Sequence, residues 1–393
     1  MQGGDVAQSP NGLVSPRTIQ LDLPPGGFPL EGGKTLPEVV VQYETYGTLN
    51  SERSNAILLL HAFSGDAHAA GLHTPRDRHP GWWDDMVRPG GAFDTNRFFV
   101  ICSNVLGGCR GTTGPGSINP ATGTPWAMTF PVVTIGDMVA VQHQLLQQMG
   151  IQQLHATAGG SMGGMQALEW AIRYPGMSRQ TILLASTHRL GAQGIAFNAV
   201  GRNAITSDPN WNEGNYYDGP QPSRGLAIAR MVGHITYLSS ESMRRKFGRR
   251  LQEPDQQEPD QREPGQQERR LDFQDQFAVE SYLEHQGEKF VDRFDANSYI
   301  YLSKALDYYD AGASRGGLEA ALSLTNSRFL VLSYSSDWLF PTEQSKEIVY
   351  ALARAGKDVS FNEINSPYGH DSFLLESQLQ RDLISAFLEG GAP

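Results

Sequence analysis

Gly159-Gly160-Ser161-Met162-Gly163 fits the pattern G-x-S-x-G, which sets a hydroxyl nucleophile on a tight turn. Leu154-His155-Ala156-Thr157-Ala158 before it is short, mostly apolar and strand-like, and Gln166 to Ile172 after it consists of good helix formers. At such a strand-to-helix turn a Cβ on Gly159 or Gly163 would collide with the neighbouring strand or helix. The serine hydroxyl is left exposed at the carboxyl edge of a sheet. The Met162 N–H then lies at a helix N-terminus, free to stabilise an oxyanion. A Gly-rich turn without chemistry would carry the same five residues, so the partners decide.

A serine nucleophile needs a base, and the base needs an orienting carboxylate. Asp337 lies in Ser335-Ser336-Asp337-Trp338-Leu339-Phe340-Pro341, just past the apolar run Phe329 to Ser333. His370 lies in Tyr368-Gly369-His370-Asp371, just past the next strand-like run. The order Ser, Asp, His is that of the α/β-hydrolase arrangement, and both loops follow strand ends, where open α/β sheets gather their sites. Ser161, Asp337 and His370 are therefore the catalytic candidates. His155 precedes the turn, within its strand, and is a poor base. The second oxyanion donor is assigned to Phe63, in the loop after the apolar run Ala56 to Leu60. His61, His68, His73 and His79 show neither H-E-x-x-H nor paired-cysteine spacing, so no metal is assigned to them. Cys109, in the Gly-rich stretch Asn104 to Pro115, reads as structural rather than reactive.

Alternating strands and helices must hold these groups. Asn55 to His61 and Arg97 to Cys102 read as buried parallel strands, after two earlier strands at Thr18 to Leu21 and Glu38 to Tyr46. Thr134 to Met149 has a helical apolar stripe. Gly27 to Thr35 misses a phosphate-loop spacing by one residue and is followed by Pro37 and a strand, so it reads as a hairpin-like connection. After the strand Thr181 to Ala185 the alternation stops, and helices are expected over 192–205, 226–238, 277–285 and 296–309. It resumes with strands at Phe329 to Ser333 and Val359 to Ile364, a helix between them, and one terminal helix over 371–388. The expectation is an α/β-hydrolase fold with a mainly parallel sheet. Its core is in two parts, 1–186 and 327–393, with a helical lid inserted at 187–326. Inside the lid, 252–270 repeats Glu-Pro every five residues and offers nothing to bury, so disorder is expected there.

Composition narrows the partners. At 39% hydrophobic and 19% charged, the 393 residues can build a sizeable core. A net charge of -11 argues against a general nucleic-acid binder. Two cysteines make no disulfide framework and suit a reducing cytoplasm. Met1 to Asp5 lack the basic patch and apolar core of a secretory leader, and no run of about 18 apolar residues is present to span a bilayer. No nucleic-acid or membrane partner is expected, and the expected location is the cytoplasm.

The chain resembles the homoserine O-acyltransferase family. The matching stretches are His61-Ala62 with Ser64-Gly65-Asp66, Pro80 to Trp83, Asn104 to Pro115, Ser117 to Pro120, Gly159 to Met165, Ala229 to Met231 with His234 to Tyr237, Arg293 to Asn297, and Gly369 to Asp371. They run in order over most of residues 15 to 390. The resemblance implies acyl transfer from acetyl-CoA to the hydroxyl of L-homoserine through an acyl-serine, in methionine biosynthesis. It implies Ser161, Asp337 and His370 as the triad, Arg230 and Asp371 as the groups that bind the acceptor, no metal or prosthetic group with acetyl-CoA as co-substrate, and a homodimer. Read alone, Arg230 fits a surface or structural ion pair. With the resemblance, its guanidinium suits a bidentate pair with the homoserine carboxylate, and Asp371 suits the ammonium. Members of the family differ in using succinyl-CoA as donor or serine as acceptor. Ser64-Gly65-Asp66 and Arg110 to Gly114 are similar to the acetyl-transferring members. An esterase and a non-catalytic binding protein of the same fold are the further alternatives.

Overall fold

The computed structural model describes residues 8–251, 276–375 and 378–390; the repeat over 252–270 lies outside them. One sheet is built from β1 (Arg17–Gln20), β2 (Val40–Tyr46), β3 (Ala56–Leu60), β4 (Phe99–Ser103), β5 (Leu154–Gly160), β6 (Ser178–Leu184), β7 (Arg328–Tyr334) and β8 (Val359–Ile364). Their spatial order is β1-β2-β4-β3-β5-β6-β7-β8. β1 and β2 pair antiparallel, as do β2 and β4, and the remaining pairings are parallel. The sheet is thus mainly parallel, as expected, with an antiparallel edge. Gly27 to Thr35 does form a small hairpin, with Phe28–Pro29 against Thr35–Leu36.

The helices are α1 (Ile135–Gln148), α2 (Met162–Arg173), α3 (Ala192–Thr206), α4 (Ser223–Tyr237), α5 (Ser240–Lys246), α6 (Ala278–Val291), α7 (Ala296–Tyr308), α8 (Leu318–Ser323), α9 (Thr342–Arg354) and α10 (Gln378–Glu389). Among the described residues none is long and apolar enough to cross a membrane. α1 starts where the sequence says it must. The Thr134 side chain accepts from the Asp137 N–H at 3.0 Å, and Asp137 accepts from the Thr134 N–H at 2.9 Å, a capping box that satisfies two otherwise orphaned donors.

Both faces of the sheet are covered, which is why β3 and its neighbours read as unbroken apolar runs. In β3, Leu58 and Leu60 face a core shared with α1, α2 and α9. Ile57 and Leu59 face a second core that contains Phe387 and Leu388 of α10, together with Ala69, Ala70, Trp83, Met86 and Phe93. Those last five come from the crossover between β3 and β4, residues 61–98, which holds no helix. Irregular chain does there what a helix does elsewhere.

Three expectations are corrected. The terminal helix is broken: Gly369–Leu374 is a short 3-10 turn, Leu375 is extended, and α10 begins only at Gln378. The Phe373 carbonyl, which would continue a helix, instead accepts from Trp83 Nε1 at 3.0 Å and Gln380 Nε2 at 3.1 Å. α6 runs to Val291, past Gly287, which looks like a breaker in sequence but is buried against Ala227 of α4. The short helices α5 and α8 carry too few apolar positions for a periodicity to show.

Candidate active site

Ser161 follows β5 and caps α2 with φ 57° and ψ −123°. A serine adopts that strained conformation only when its surroundings impose it. Its N–H donates to the Leu184 carbonyl at 3.0 Å, and Ser186 Oγ donates to the Ser161 carbonyl at 2.8 Å. Gly163 makes the turn possible, because a Cβ there would overlap the Leu60 carbonyl oxygen at the end of β3. The start of α2 is thereby pressed against the sheet with the serine at its tip.

Ser161 Oγ lies 2.8 Å from His370 Nε2, and His370 Nδ1 lies 2.7 Å from Asp337 Oδ2. Asp337 follows β7 and His370 follows β8, and both are buried. The second carboxylate oxygen, Oδ1, accepts the N–H groups of Leu339 at 3.0 Å and Phe340 at 2.9 Å. A carboxylate so placed accepts a hydrogen bond from Nδ1–H and fixes that tautomer, which leaves Nε2 to accept the serine proton. Burial pushes the His370 pKa down, but the charge and hydrogen bond of Asp337, with the Asp371 charge, outweigh it, and the net shift is upward from 6.5. Only the neutral imidazole is a base. The rate at which an activated ester acylates Ser161 is therefore expected to rise with pH and to reach half its maximum above pH 6.5, the ordinary histidine value. Stopped-flow acylation across the neutral range checks this; a midpoint below that value contradicts it.

Met162 is the first residue of α2, so its N–H has no carbonyl within the helix to bond. Phe63 sits in the turn Ala62 to Gly65, closed by the Gly65 N–H on the Ala62 carbonyl at 2.9 Å, a bond that leaves the Phe63 N–H out. The Phe63 ring lines the cavity at Ser161 with Leu190, Phe197, Thr236, Tyr237 and Tyr299. Helices α3, α4 and α7 supply the roof of that cavity.

Arg230, on α4, donates to Ser64 Oγ at 3.1 Å and stacks 4.7 Å over the Phe290 ring and 5.6 Å from the Tyr237 ring centroid. Arg293 donates to the Ser64 carbonyl at 3.0 Å. Asp371 is half-buried. Burial raises its pKa, His370 and Arg230 oppose the rise, and Asp337 adds to it. Arg230 and Asp371 thus feel each other's charge while forming no ion pair among the described residues. Asp371 follows His370 directly in the chain, and Arg230 lies beside Tyr237, whose ring also lines the cavity at Ser161. Ser64, Tyr237, Phe290 and Arg293 had no separate role in the sequence. Tyr237 and Phe290 are apolar positions of helices, and nothing in the spacing aims Arg293 at Ser64.

The roof is pinned to the catalytic loops. Trp338 Nε1 donates to the Leu238 carbonyl at 3.0 Å, and Ser239 Oγ donates to the Pro367 carbonyl. At Gly369, φ is +78°, and a Cβ would lie 2.6 Å from the Tyr237 carbonyl oxygen, so only glycine lets the His370 loop pass beneath the end of α4.

The remaining histidines separate. His61 is buried, donating Nδ1–H to the Ala62 carbonyl at 2.8 Å and accepting the Val105 N–H on Nε2 at 3.2 Å. His155 lies 3.2 Å from the Leu388 carbonyl, on the side of α10. His79 is exposed. His68 and His73 converge on Glu44 of β2, a partner that sequence spacing did not suggest. The Cys109 thiol, held within 4.0 Å of the Arg293 carbonyl, is pushed by burial up to about 11 and is a poor nucleophile.

Comparison with known proteins agrees with this geometry. Residues 55–377 match the family described as alpha/beta hydrolase fold. A homoserine O-acetyltransferase of Leptospira biflexa is 55% identical over 389 residues, covering 97% of this chain and 96% of that one. A homoserine O-succinyltransferase of Magnetococcus marinus is 51% identical over 384 residues, covering 96% of this chain and 94% of that one. The crystal structure of homoserine O-acetyltransferase from Bacillus anthracis superposes with a TM-score of 0.85 at 33% identity, covering 96% of this chain and 98% of that one.

Proposed function

The chain belongs to the homoserine O-acyltransferase family, of α/β-hydrolase fold, and from that premise we propose that it transfers the acetyl group of acetyl-CoA to L-homoserine. The observation that carries the reading is the unbroken line Ser161–His370–Asp337 with Arg230 and Asp371 beside it. Ser161 Oγ attacks the thioester carbonyl as His370 Nε2 takes its proton. The carbonyl oxygen, now negative, is met by the N–H groups of Met162 and Phe63. The C–S bond breaks, His370 returns the proton to sulfur, and CoA leaves an acetyl-serine. The homoserine hydroxyl then gives its proton to His370 and attacks the acetyl carbon. Ser161 leaves with that proton, and O-acetyl-L-homoserine departs. No step calls on a metal or prosthetic group.

The donor is argued from the cavity. Its lining at Ser161 is aromatic and aliphatic, with Asn198, Thr236 and two tyrosines as its polar side chains and no Lys or Arg. A succinyl chain would bring a second carboxylate to compete with that of homoserine for Arg230, beside the Tyr237 ring of the lining; an acetyl group leaves nothing unpaired. Exposed Ile195 and Val200 on α3 and Ile228 and Ile235 on α4 support a homodimer, and the cytoplasm is the proposed setting. An activity panel crossing acetyl-CoA and succinyl-CoA with homoserine and serine tests the reading. Highest kcat/KM with acetyl-CoA and homoserine is expected; succinyl-CoA as the better donor would overturn the choice of donor.

Arg230 and Asp371 act in the second half-reaction. Arg230→Ala or Asp371→Ala removes a charge-assisted contact worth about 1.5–3 kcal/mol, so the homoserine KM is expected to rise roughly ten- to a hundredfold. Acetylation of Ser161 without homoserine should persist in both. The acetyl-CoA burst, followed apart from homoserine-dependent turnover, makes the comparison. If Arg230→Ala abolishes the burst and leaves the homoserine KM unchanged, Arg230 serves CoA instead.

A further inference from the structure

The helix-free crossover between β3 and β4 is tied to β2 through two neighbouring side chains, Glu44 and Tyr46. The Glu44 side chain is 1% exposed. Oε2 lies 2.9 Å from His68 Nδ1 and Oε1 lies 2.7 Å from His73 Nε2. Tyr46 donates its hydroxyl proton to Oε2 at 2.8 Å, and its own oxygen accepts the N–H groups of Ala69 at 2.8 Å and Ala70 at 3.1 Å. The two imidazoles lie side by side, with ring centroids 3.8 Å apart. The three ligand atoms, one from each side chain, lie within 4.8 Å of one another.

We infer that Glu44, His68 and His73 form a binding site for a borderline divalent transition ion, zinc first among them. Two imidazole nitrogens and one carboxylate oxygen are a set that zinc takes, with water completing a tetrahedron. Softer ions prefer sulfur, and magnesium or calcium prefers more oxygens. The Glu44 side chain is buried and its oxygens are held in place by Tyr46 and the two imidazoles. The geometry needs little change. Ligand atoms around tetrahedral zinc stand about 3.3 Å apart, so the three atoms, now within 4.8 Å of one another, need only small side-chain adjustments to surround one ion. His73 can give, since it lies in the surface turn closed by Asp77 Oδ2 on the His73 and Thr74 N–H groups. With its side chain 38% exposed, it also opens the way in from solvent. Tyr46 plays the outer partner that orients a ligating carboxylate. Such an ion braces the crossover that carries Phe63 and Ser64 near its start. It takes no part in acyl transfer.

The test uses the full chain, stripped with chelator and titrated with zinc chloride by calorimetry, with zinc per chain counted by elemental mass spectrometry. One tightly bound zinc per chain and a rise in Tm on zinc addition are expected. His73→Gln, an exposed change that leaves the fold intact, is expected to weaken that binding at least tenfold and to remove the Tm rise. Glu44→Gln is expected to do the same where it folds; His73→Gln decides where it does not. Absence of a one-to-one complex in the unaltered chain overturns the inference, as does a loss below tenfold in His73→Gln. In either case the cluster is a hydrogen-bonded clasp alone. Neither readout depends on the acyltransferase reading.

Discussion

Ser161→Ala is expected to lower kcat on the order of 10⁶-fold, the cost of deleting the nucleophile from a serine triad. The change removes one hydroxyl whose hydrogen-bond partner is His370 Nε2. The bonds that hold the turn are made by the Ser161 N–H and carbonyl, which alanine keeps. The backbone strain at φ 57° is shared by both residues. Tm should therefore change little while turnover disappears, and the acetyl adduct at this position should vanish from the mass spectrum of protein exposed to acetyl-CoA. A kcat near that of the unaltered protein would remove Ser161 from the mechanism.

Asp337→Asn is expected to cost on the order of 10⁴-fold in kcat, as in other triads. The structure says why the amide is so damaging. Oδ1 is committed to the N–H groups of Leu339 and Phe340. An asparagine that keeps its oxygen on those donors must turn its NH₂ toward His370 Nδ1. The imidazole then carries its proton on Nε2 and faces Ser161 as a donor, unable to accept. The fold survives because the two backbone donors keep their acceptor. The charge that raises the His370 pKa is lost as well, so the pH midpoint of the residual rate should fall. A drop smaller than about tenfold would mean that another acid orients the histidine.

Much of this was legible because the site is built from local signals. Ser161 announces itself through glycines that the turn requires, and Asp337 and His370 through their places after β7 and β8. The helices α1, α3, α7 and α9 follow from apolar spacing and stay within a residue or two of expectation. The signal failed where long-range contacts set the chain. Nothing local says that Phe373 gives its carbonyl to Trp83, some three hundred positions earlier, and so the terminal helix was drawn unbroken. Gly287 looks like an end and is a crossing point. His68 and His73 had no metal-site spacing because their third partner, Glu44, sits on a strand before them in the chain. Arg230 was an ordinary helix position until tertiary structure laid it over Phe290 and against Ser64.

The pinning of α4 has a consequence for recombination between relatives. Its C-terminal end is bonded to the Asp337 loop through Trp338 and to the His370 loop through Ser239, and it lies on Gly369. Two turns earlier the same helix carries Arg230. Roof and relay are therefore one inherited block, although the chain that joins them is interrupted by the sheet. A chimera that took the helices between β6 and β7 from one parent and the two strand-end loops from another would sever these contacts and displace acid, base and guanidinium together. The segments that can be exchanged with their function intact are the helices with residues 335–341 and 366–374 attached, so crossover points that respect the apparent inserted domain fall in the wrong places.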